Sequence, residues 1–176
     1  MPENRSPTLP RSMASKINKS KRLSDGKPEQ LQLDDFILYL DENLDNCRPI
    51  MEALTDSNAR FERHRDHFPR GTPDEDWLPF VAERSWVVLT KDKRNRYNEF
   101  ERESVRRFKV REFYFGRGDF SGHEMAEALK MAMEEMRSIC RTHNPPIVGS
   151  VTRSGMITIV YDEKGSTHER RKAKQR

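Results

Sequence analysis

Three aspartates in this chain stand where their side chains would act together. Asp41 follows the apolar run Phe36-Ile37-Leu38-Tyr39-Leu40, Asp74 opens a segment with helix-start character, and Asp92 follows Trp86-Val87-Val88-Leu89-Thr90. They are spaced 33 and 18 residues apart, so no single turn or helix accounts for all three. Like charges gathered in one pocket repel, and such a cluster persists at neutral pH only with a cation or with raised pKa values. Oxygen ligands of this kind suit Mg²⁺ or Mn²⁺, which keep several waters and bridge to phosphate oxygens. The chemistry that follows is metal-assisted phosphodiester hydrolysis: the ion lowers the pKa of a bound water and neutralises the phosphoryl oxygens.

Each of these residues also has a plainer reading. An acid in the first turn of a helix, as Asp74 is, stabilises the helix macrodipole whatever else it does, and Glu75 and Asp76 share that turn. Asp41, with Glu42 and Asn43, favours a turn. Thr90 is either an orienting hydroxyl or an ordinary β-branched strand end. Lys91, Lys93, Arg94 and Arg96 flank Asp92, where they either hold substrate phosphates or form a solvated charge run. His64-x-x-His67 has no partner ligands at metal-site spacing and is expected at the surface. Arg63, Arg65 and Arg70 around it form a basic stretch that would touch RNA or an acidic partner.

The elements that must position these side chains follow from periodicity. Phe36 to Leu40 and Trp86 to Thr90 are short, continuously apolar runs, which predicts strands buried on both faces. Cys47, Ile50, Met51 and Leu54 at helical spacing predict a helix returning from the first strand. Phe61 begins a short polar strand, and Pro69 to Thr72 form a turn. Thr72, Pro73 and Glu75 predict a capping box that starts a helix with Trp77, Leu78, Val81 and Ala82 inward. Asn98 and Glu101 predict a second box, for a helix burying Phe100, Val105 and Phe108. Glu112 to Phe115 is a third strand. Ser121 and Glu124 predict a cap for a long helix whose stripe is Met125, Leu129, Ala132, Met136 and Cys140. After Asn144-Pro145-Pro146, residues 147 to 152 and 156 to 161 read as two strands joined at Ser154-Gly155, a terminal hairpin or edge. Alternating strands and helices of these lengths predict an α/β fold with a mostly parallel sheet and helices on both faces. In such a fold the ligand site lies beyond the carboxyl ends of the strands, which selects Asp41 and Asp92.

The chain has 176 residues, 35% of them charged and 34% hydrophobic, enough for one domain with a core of ordinary size and much solvated chain besides. Residues 1 to 30 contain 7 Lys/Arg against 3 Asp/Glu and residues 162 to 176 contain 6 against 3, whereas the centre is slightly acidic. The net charge of +4 therefore belongs to the ends, which predicts a disordered basic extension over 1–34, a folded domain over 35–161 and a basic tail over 162–176. No apolar run is long enough to span a membrane and none resembles a secretory leader, so a cytoplasmic protein with no membrane partner is expected. Cys47 and Cys140 are too few and too far apart for a disulfide framework or a thiolate metal site, and are expected in the core.

Four segments, Phe36 to Leu44 (FILYLDENL), Gly71 to Leu78 (GTPDEDWL), Val87 to Arg94 (VVLTKDKR) and Glu101, resemble in order and spacing the minimal PIN-like domains related to VapC-type toxin ribonucleases. In that family an LDxNL strand end, a DEEWL-like helix start and a vLTrDkr strand end recur. The resemblance extends through the helix after Ser121 and the Pro145-Pro146 region. It implies a three-layer α/β/α PIN-like domain and an Mg²⁺- or Mn²⁺-dependent endoribonuclease, acting as the toxin of a toxin–antitoxin pair, with RNA, an antitoxin and a second copy of the chain as partners. Carried over, Asp41, Asp74 and Asp92 match the metal-binding acids and Thr90 the threonine of the T-x-D motif. The resemblance departs at one point: no Glu before Gly71 matches the one that larger PIN nucleases carry on an early helix, and Glu101 or Asp76 stands in for it. The alternatives are a non-catalytic PIN-like module that binds nucleic acid or a protein, and a phosphate-handling receiver-like domain with Asp66 as its acceptor.

Overall fold

A computed structural model of the chain describes residues 36–91, 99–116 and 119–167. The expected extension over 1–34, the Asn98–Glu101 capping box and the chain end beyond residue 167 lie outside the described residues.

The buried apolar runs become the central strands. Ile37–Leu40 forms β1, Val87–Thr90 β3, Arg111–Phe115 β4 and Ile147–Val151 β5, with Arg60–Arg63 as β2 at one edge and Ile157–Asp162 and Gly165–Ser166 as β6 and β7 at the other. The sheet order is β2-β1-β3-β4-β5-β6-β7; pairs from β2 to β5 are parallel, and β5–β6 and β6–β7 are antiparallel. The expected terminal hairpin is present, and β7 carries the sheet past the expected boundary at residue 161 to Ser166.

Strand alternation sorts the core into two layers. Leu38, Leu40, Leu89, Phe113 and Phe115 face α1 (Arg48–Asp56) and α5 (Gly122–Thr142), which pack on each other through Ile50, Leu54, Met125, Leu129 and Met136. Tyr39, Val88 and Tyr114 face the other way, toward α3 (Asp74–Glu83) and α4 (Glu99–Phe108), with Trp77, Leu78, Val81 and Val105. This is the three-layer α/β/α arrangement. The stripe on α5 is buried as expected, including Cys140, and Ser121 and Glu124 form both bonds of the capping box. Cys47 is half-buried against the same layer. No described helix is long and apolar enough to cross a membrane.

Two local expectations are corrected. The Thr72 capping box does not form: α3 begins at Asp74 with Pro73 in the N-cap position and no side-chain cap. The Thr72 hydroxyl instead donates to the Pro69 carbonyl (2.7 Å), closing the preceding turn, and the open amides of α3 face a first turn carrying Asp74, Glu75 and Asp76. His64 is not at the surface. It opens a single helical turn, α2 (His64–His67), and is 2% exposed, because Tyr39 and Trp77 enclose its ring.

The connections position the site. From β1 the chain crosses to β2 through α1 on one face, and from β3 it crosses to β4 through α4 on the other. Loops leaving neighbouring parallel strands toward opposite faces open a crevice at their carboxyl ends. That crevice lies between β1 and β3, adjacent as the sequence predicts, with Leu40 opposite Leu89.

A close approach between neighbouring strands provides a test of the fold. Gly149 on β5 lies opposite Phe113 on β4, and a Cβ there would fall 2.5 Å from a ring carbon of that fully buried phenylalanine. Gly149→Ala should therefore destabilise the domain by about 1–3 kcal/mol through overpacking. The midpoint of denaturant unfolding reads this; an unchanged midpoint would contradict the β4–β5 register.

Candidate functional site

Asp41 is the first residue beyond β1, and its amide still bonds to the Leu89 carbonyl of β3 (3.2 Å). Its carboxylate turns back over the loop that follows. Oδ1 accepts the amides of Asn43 and Leu44 (both 3.1 Å), and Oδ2 accepts the Asn43 side-chain amide (3.2 Å). The sequence Leu-Asp-Glu-Asn-Leu folds this way because a short acceptor side chain satisfies amides two and three residues on, while Leu44 is fully buried and anchors the turn. The fourth donor comes from the neighbouring strand: Thr90 Oγ1 donates to Asp41 Oδ2 at 2.6 Å.

Asp41 is 8% exposed. Burial pushes its carboxyl up to about 6, against the opposing pull of the Thr90, Asn43 and Leu44 hydrogen bonds. A desolvated carboxylate whose lone pairs meet four donors is held rigidly and gains from any further positive charge brought to it.

The loop after β1 also organises what surrounds it. Glu42 accepts the Gly71 amide (2.7 Å) and the Arg70 guanidinium (2.8 Å), tying the approach to α3 onto the end of β1. The Gly71 amide bond holds the Glu42 carboxyl below its ordinary value. Asp45, almost fully buried, accepts the Arg65 amide (3.1 Å) and both sides of its guanidinium fork (3.0 and 3.2 Å). Between these pairs lies a cavity of about 430 Å³, lined from the β1 loop by Asn43 and Asp45, from α2 by His64 and Arg65, and from the end of β3 by Lys91.

The expected site residues divide into three groups. Asp41 and Thr90 are brought into contact, and Lys91 lies beside them on the cavity wall. Asp74 is exposed at the start of α3, where its Oδ1 accepts the Trp77 indole N–H (3.1 Å), and Asp76 is exposed on the same turn. Asp92, Lys93, Arg94, Arg96 and the side chain of Glu101 lie outside the described residues. Among the described residues no group of three or more His, Cys, Asp or Glu side chains is placed to hold a metal ion. Arg63, Arg65 and Arg70, expected as an open basic stretch, are each paired with an acid of the chain: Asp66, Asp45 and Glu42. Asp66, the acceptor of the receiver-like reading, is thereby tied down beside an edge strand.

Asp45 is a residue that pattern reading missed, and His64 one that it placed at the surface. The His64 ring meets the Tyr39 hydroxyl at Nδ1 (3.0 Å), and burial raises the Tyr39 hydroxyl far above its ordinary pKa. The only sequence signals were a second Asp four residues after Asp41 and a tyrosine inside an otherwise aliphatic strand.

The raised Asp41 pKa has a defined consequence. The unfolded chain ionises this group near 3.8 and the folded one near 6, so between those values the folded state holds the extra proton. Stability contributed by Asp41 is then complete below pH 3.8 and is lost as pH rises to about 6, by roughly 3 kcal/mol in all. Carboxyl ¹³C NMR in chelator should show Asp41 titrating near 6, and Thr90→Val should raise that midpoint by removing a donor to the ionised form. A midpoint below 4 would contradict the desolvated site.

A comparison with family models gives a match to the family described as PIN like domain over residues 37–117, from β1 to just beyond β4. Comparison with curated proteins gives no match, nor does comparison with solved structures. The matched segment contains the whole β1–β3 crevice, and its match together with the mostly parallel α/β/α sheet supports a PIN-like domain in this chain.

Proposed function

We propose that this chain is a metal-dependent endoribonuclease of PIN-like type, hydrolysing phosphodiesters of single-stranded RNA at the β1–β3 crevice. The observation that carries the proposal is the desolvated Asp41 carboxylate, held against Thr90 where two neighbouring strands end and their loops part. PIN-like domains are often nucleases, and the family match covers this crevice.

In this reading Asp41, Asp74 and Asp92 would hold Mg²⁺ or Mn²⁺, with Glu101 or Asp76 completing the set. The ion, when bound, supplies an acidified water and neutralises the phosphoryl oxygens. The chain's own contributions are positional. Thr90 and the Asn43 amide fix the Asp41 oxygens, Glu42 and Gly71 draw the start of α3 toward the crevice, and Lys91, with Lys93, Arg94 and Arg96, attracts the substrate backbone. The finer proposals, resting on the resemblance, are that the enzyme acts in the cytoplasm as the toxin of a toxin–antitoxin pair, with an antitoxin protein and a second copy of the chain as partners.

One observation favours the alternative, a non-catalytic module binding nucleic acid or a protein. The Asp41 oxygens already meet four donors, so a metal would have to displace or share one of them.

Purified full-length chain should cleave single-stranded RNA with Mn²⁺ and lose that activity on chelation. Asp41→Asn and Asp92→Asn should each lower the rate by orders of magnitude while the protein stays folded, since each removes a charge and keeps the side-chain shape. Asp74→Asn should impair cleavage and also cost about 0.3–1 kcal/mol of stability, because the first turn of α3 loses a favourable charge. Absence of cleavage across varied RNAs, or full activity of the Asp41 and Asp92 variants, would leave the binding module in place of the nuclease.

A further inference from the structure

The arginines on the wall of the cavity beside Asp41 cancel against acids as charges but not as hydrogen-bond donors. The Asp45 side chain is 5% exposed, yet every donor it accepts belongs to a residue that reaches solvent: the amide, Nε and Nη2 of Arg65, whose side chain is 46% exposed. A guanidinium is a planar fork with donors on more than one edge, and this pairing takes the Nε edge alone. Nη1 and the outer N–H of Nη2 have no partner among the described residues. A carboxylate that fixes one edge of a rigid fork also fixes the plane and direction of the other.

Arg70 is held in the same manner. Its Nε donates to Glu42 Oε1 (2.8 Å), the Gly71 amide takes the other oxygen (2.7 Å), and the Arg70 side chain is otherwise in solvent, 91% exposed. Both acids belong to the loop after β1 and both arginines to the segment between β2 and α3, so the loop that begins with Asp41 orients two guanidinia around one cavity of about 430 Å³. Asn43 lines that cavity as well and donates to Asp41 Oδ2, which sets the cavity next to the crevice. Two oriented forks whose net charge is already balanced suit an anion recognised by short, directed hydrogen bonds rather than by a long-range field. A phosphodiester, with two unsubstituted oxygens for a side-on fork, is such an anion.

We propose that Arg65 and Arg70 grip the phosphodiester backbone of single-stranded RNA beside Asp41, with Asp45 and Glu42 as the residues that orient them. Phosphate contacts fix where a strand lies and carry no sequence information, so the grip is the same for every base. The proposal deepens the ribonuclease reading and rests on it only in taking RNA as the ligand; it requires neither metal nor turnover.

Fluorescence anisotropy of labelled uridine, adenosine and cytidine oligoribonucleotides with the full chain, in chelator, tests this. The basic ends of the chain attract any polyanion, so the ratio between variants is the measure. Arg70→Ala, an exposed substitution, should weaken each oligonucleotide about tenfold. Arg65→Ala combined with Asp45→Asn strands no buried carboxylate and leaves the net charge at +4. It should also weaken binding about tenfold, which loss of a general positive field would not do. Lys130→Ala removes one positive charge from α5, away from the cavity, and should leave binding unchanged. In the wild-type chain the ¹H–¹⁵N resonance of Arg65 Nε, held by Asp45, should move when RNA is added. Undiminished binding by either arginine variant, an equal loss in the Lys130 variant, a loss confined to one oligonucleotide, or an unmoved Arg65 resonance would each overturn the grip. So would an oligoglutamate of equal length that binds as tightly and loses as much, which would make the arginines a surface for an acidic protein. Should the double variant fail to fold, Arg70→Ala and the Arg65 resonance decide. Because nothing turns over in chelator, a chain that binds as expected without cleaving RNA leaves the grip standing, and one that cleaves RNA but ignores these substitutions overturns the grip alone.

Discussion

The hydrogen bond from Thr90 Oγ1 to Asp41 Oδ2, 2.6 Å long, joins the ends of the two central strands, and the geometry of the crevice depends on it. It exists only because β1 and β3 are parallel neighbours in a register that sets Leu40 opposite Leu89, so that both strands end at one level. A carboxylate so placed loses most of its hydration. Its free energy then rests on the donors around it, and these both fix its oxygens and set how readily it ionises.

The opposite face of the same strand holds the cavity wall in place. Tyr39 alternates with Leu38 and Leu40 and so points toward α3, where its ring stacks on Trp77 (5.4 Å between centroids) and on Trp86 (6.0 Å) and its hydroxyl meets His64. Trp77 in turn lies edge-on to His64 and donates its indole N–H to Asp74. One indole thus connects the cavity wall to the acid at the start of α3. The two halves of the crevice are positioned by one aromatic cluster, in addition to the Glu42–Gly71 clasp above it.

Charge is distributed to the same end. Every arginine of the basic stretch around α2 is committed to an acid of the chain, and these pairs shape loops without presenting a net field. Isolated exposed pairs of this kind contribute little to stability. The Asp45–Arg65 pair differs because its carboxylate is buried and meets the guanidinium at both oxygens, with the backbone amide as a third donor, so that it fixes α2 to the β1 loop. Against this background, Lys91 at the end of β3 is exposed on the cavity wall.

Much of this fold was legible in the sequence because its signals are local. Continuous apolar runs mark β1 and β3, helical spacing marks the buried face of α1, and Ser121 with Glu124 marks the start of α5, all of which stand as expected. The Asp41 turn was legible for the same reason, since its acceptors and donors lie within three residues. The Thr72 cap was misread although it too is local, because one hydroxyl had two carbonyl and amide partners in reach and sequence does not rank them. What only the tertiary structure decided are the contacts between segments remote in sequence. Thr90 reaches Asp41 across 49 residues, Tyr39 meets His64 across 25, and Arg65 meets Asp45 across 20. No periodicity encodes such pairs. They are set by which strands lie side by side and in what register, and these follow from packing the two apolar faces of the sheet as a whole.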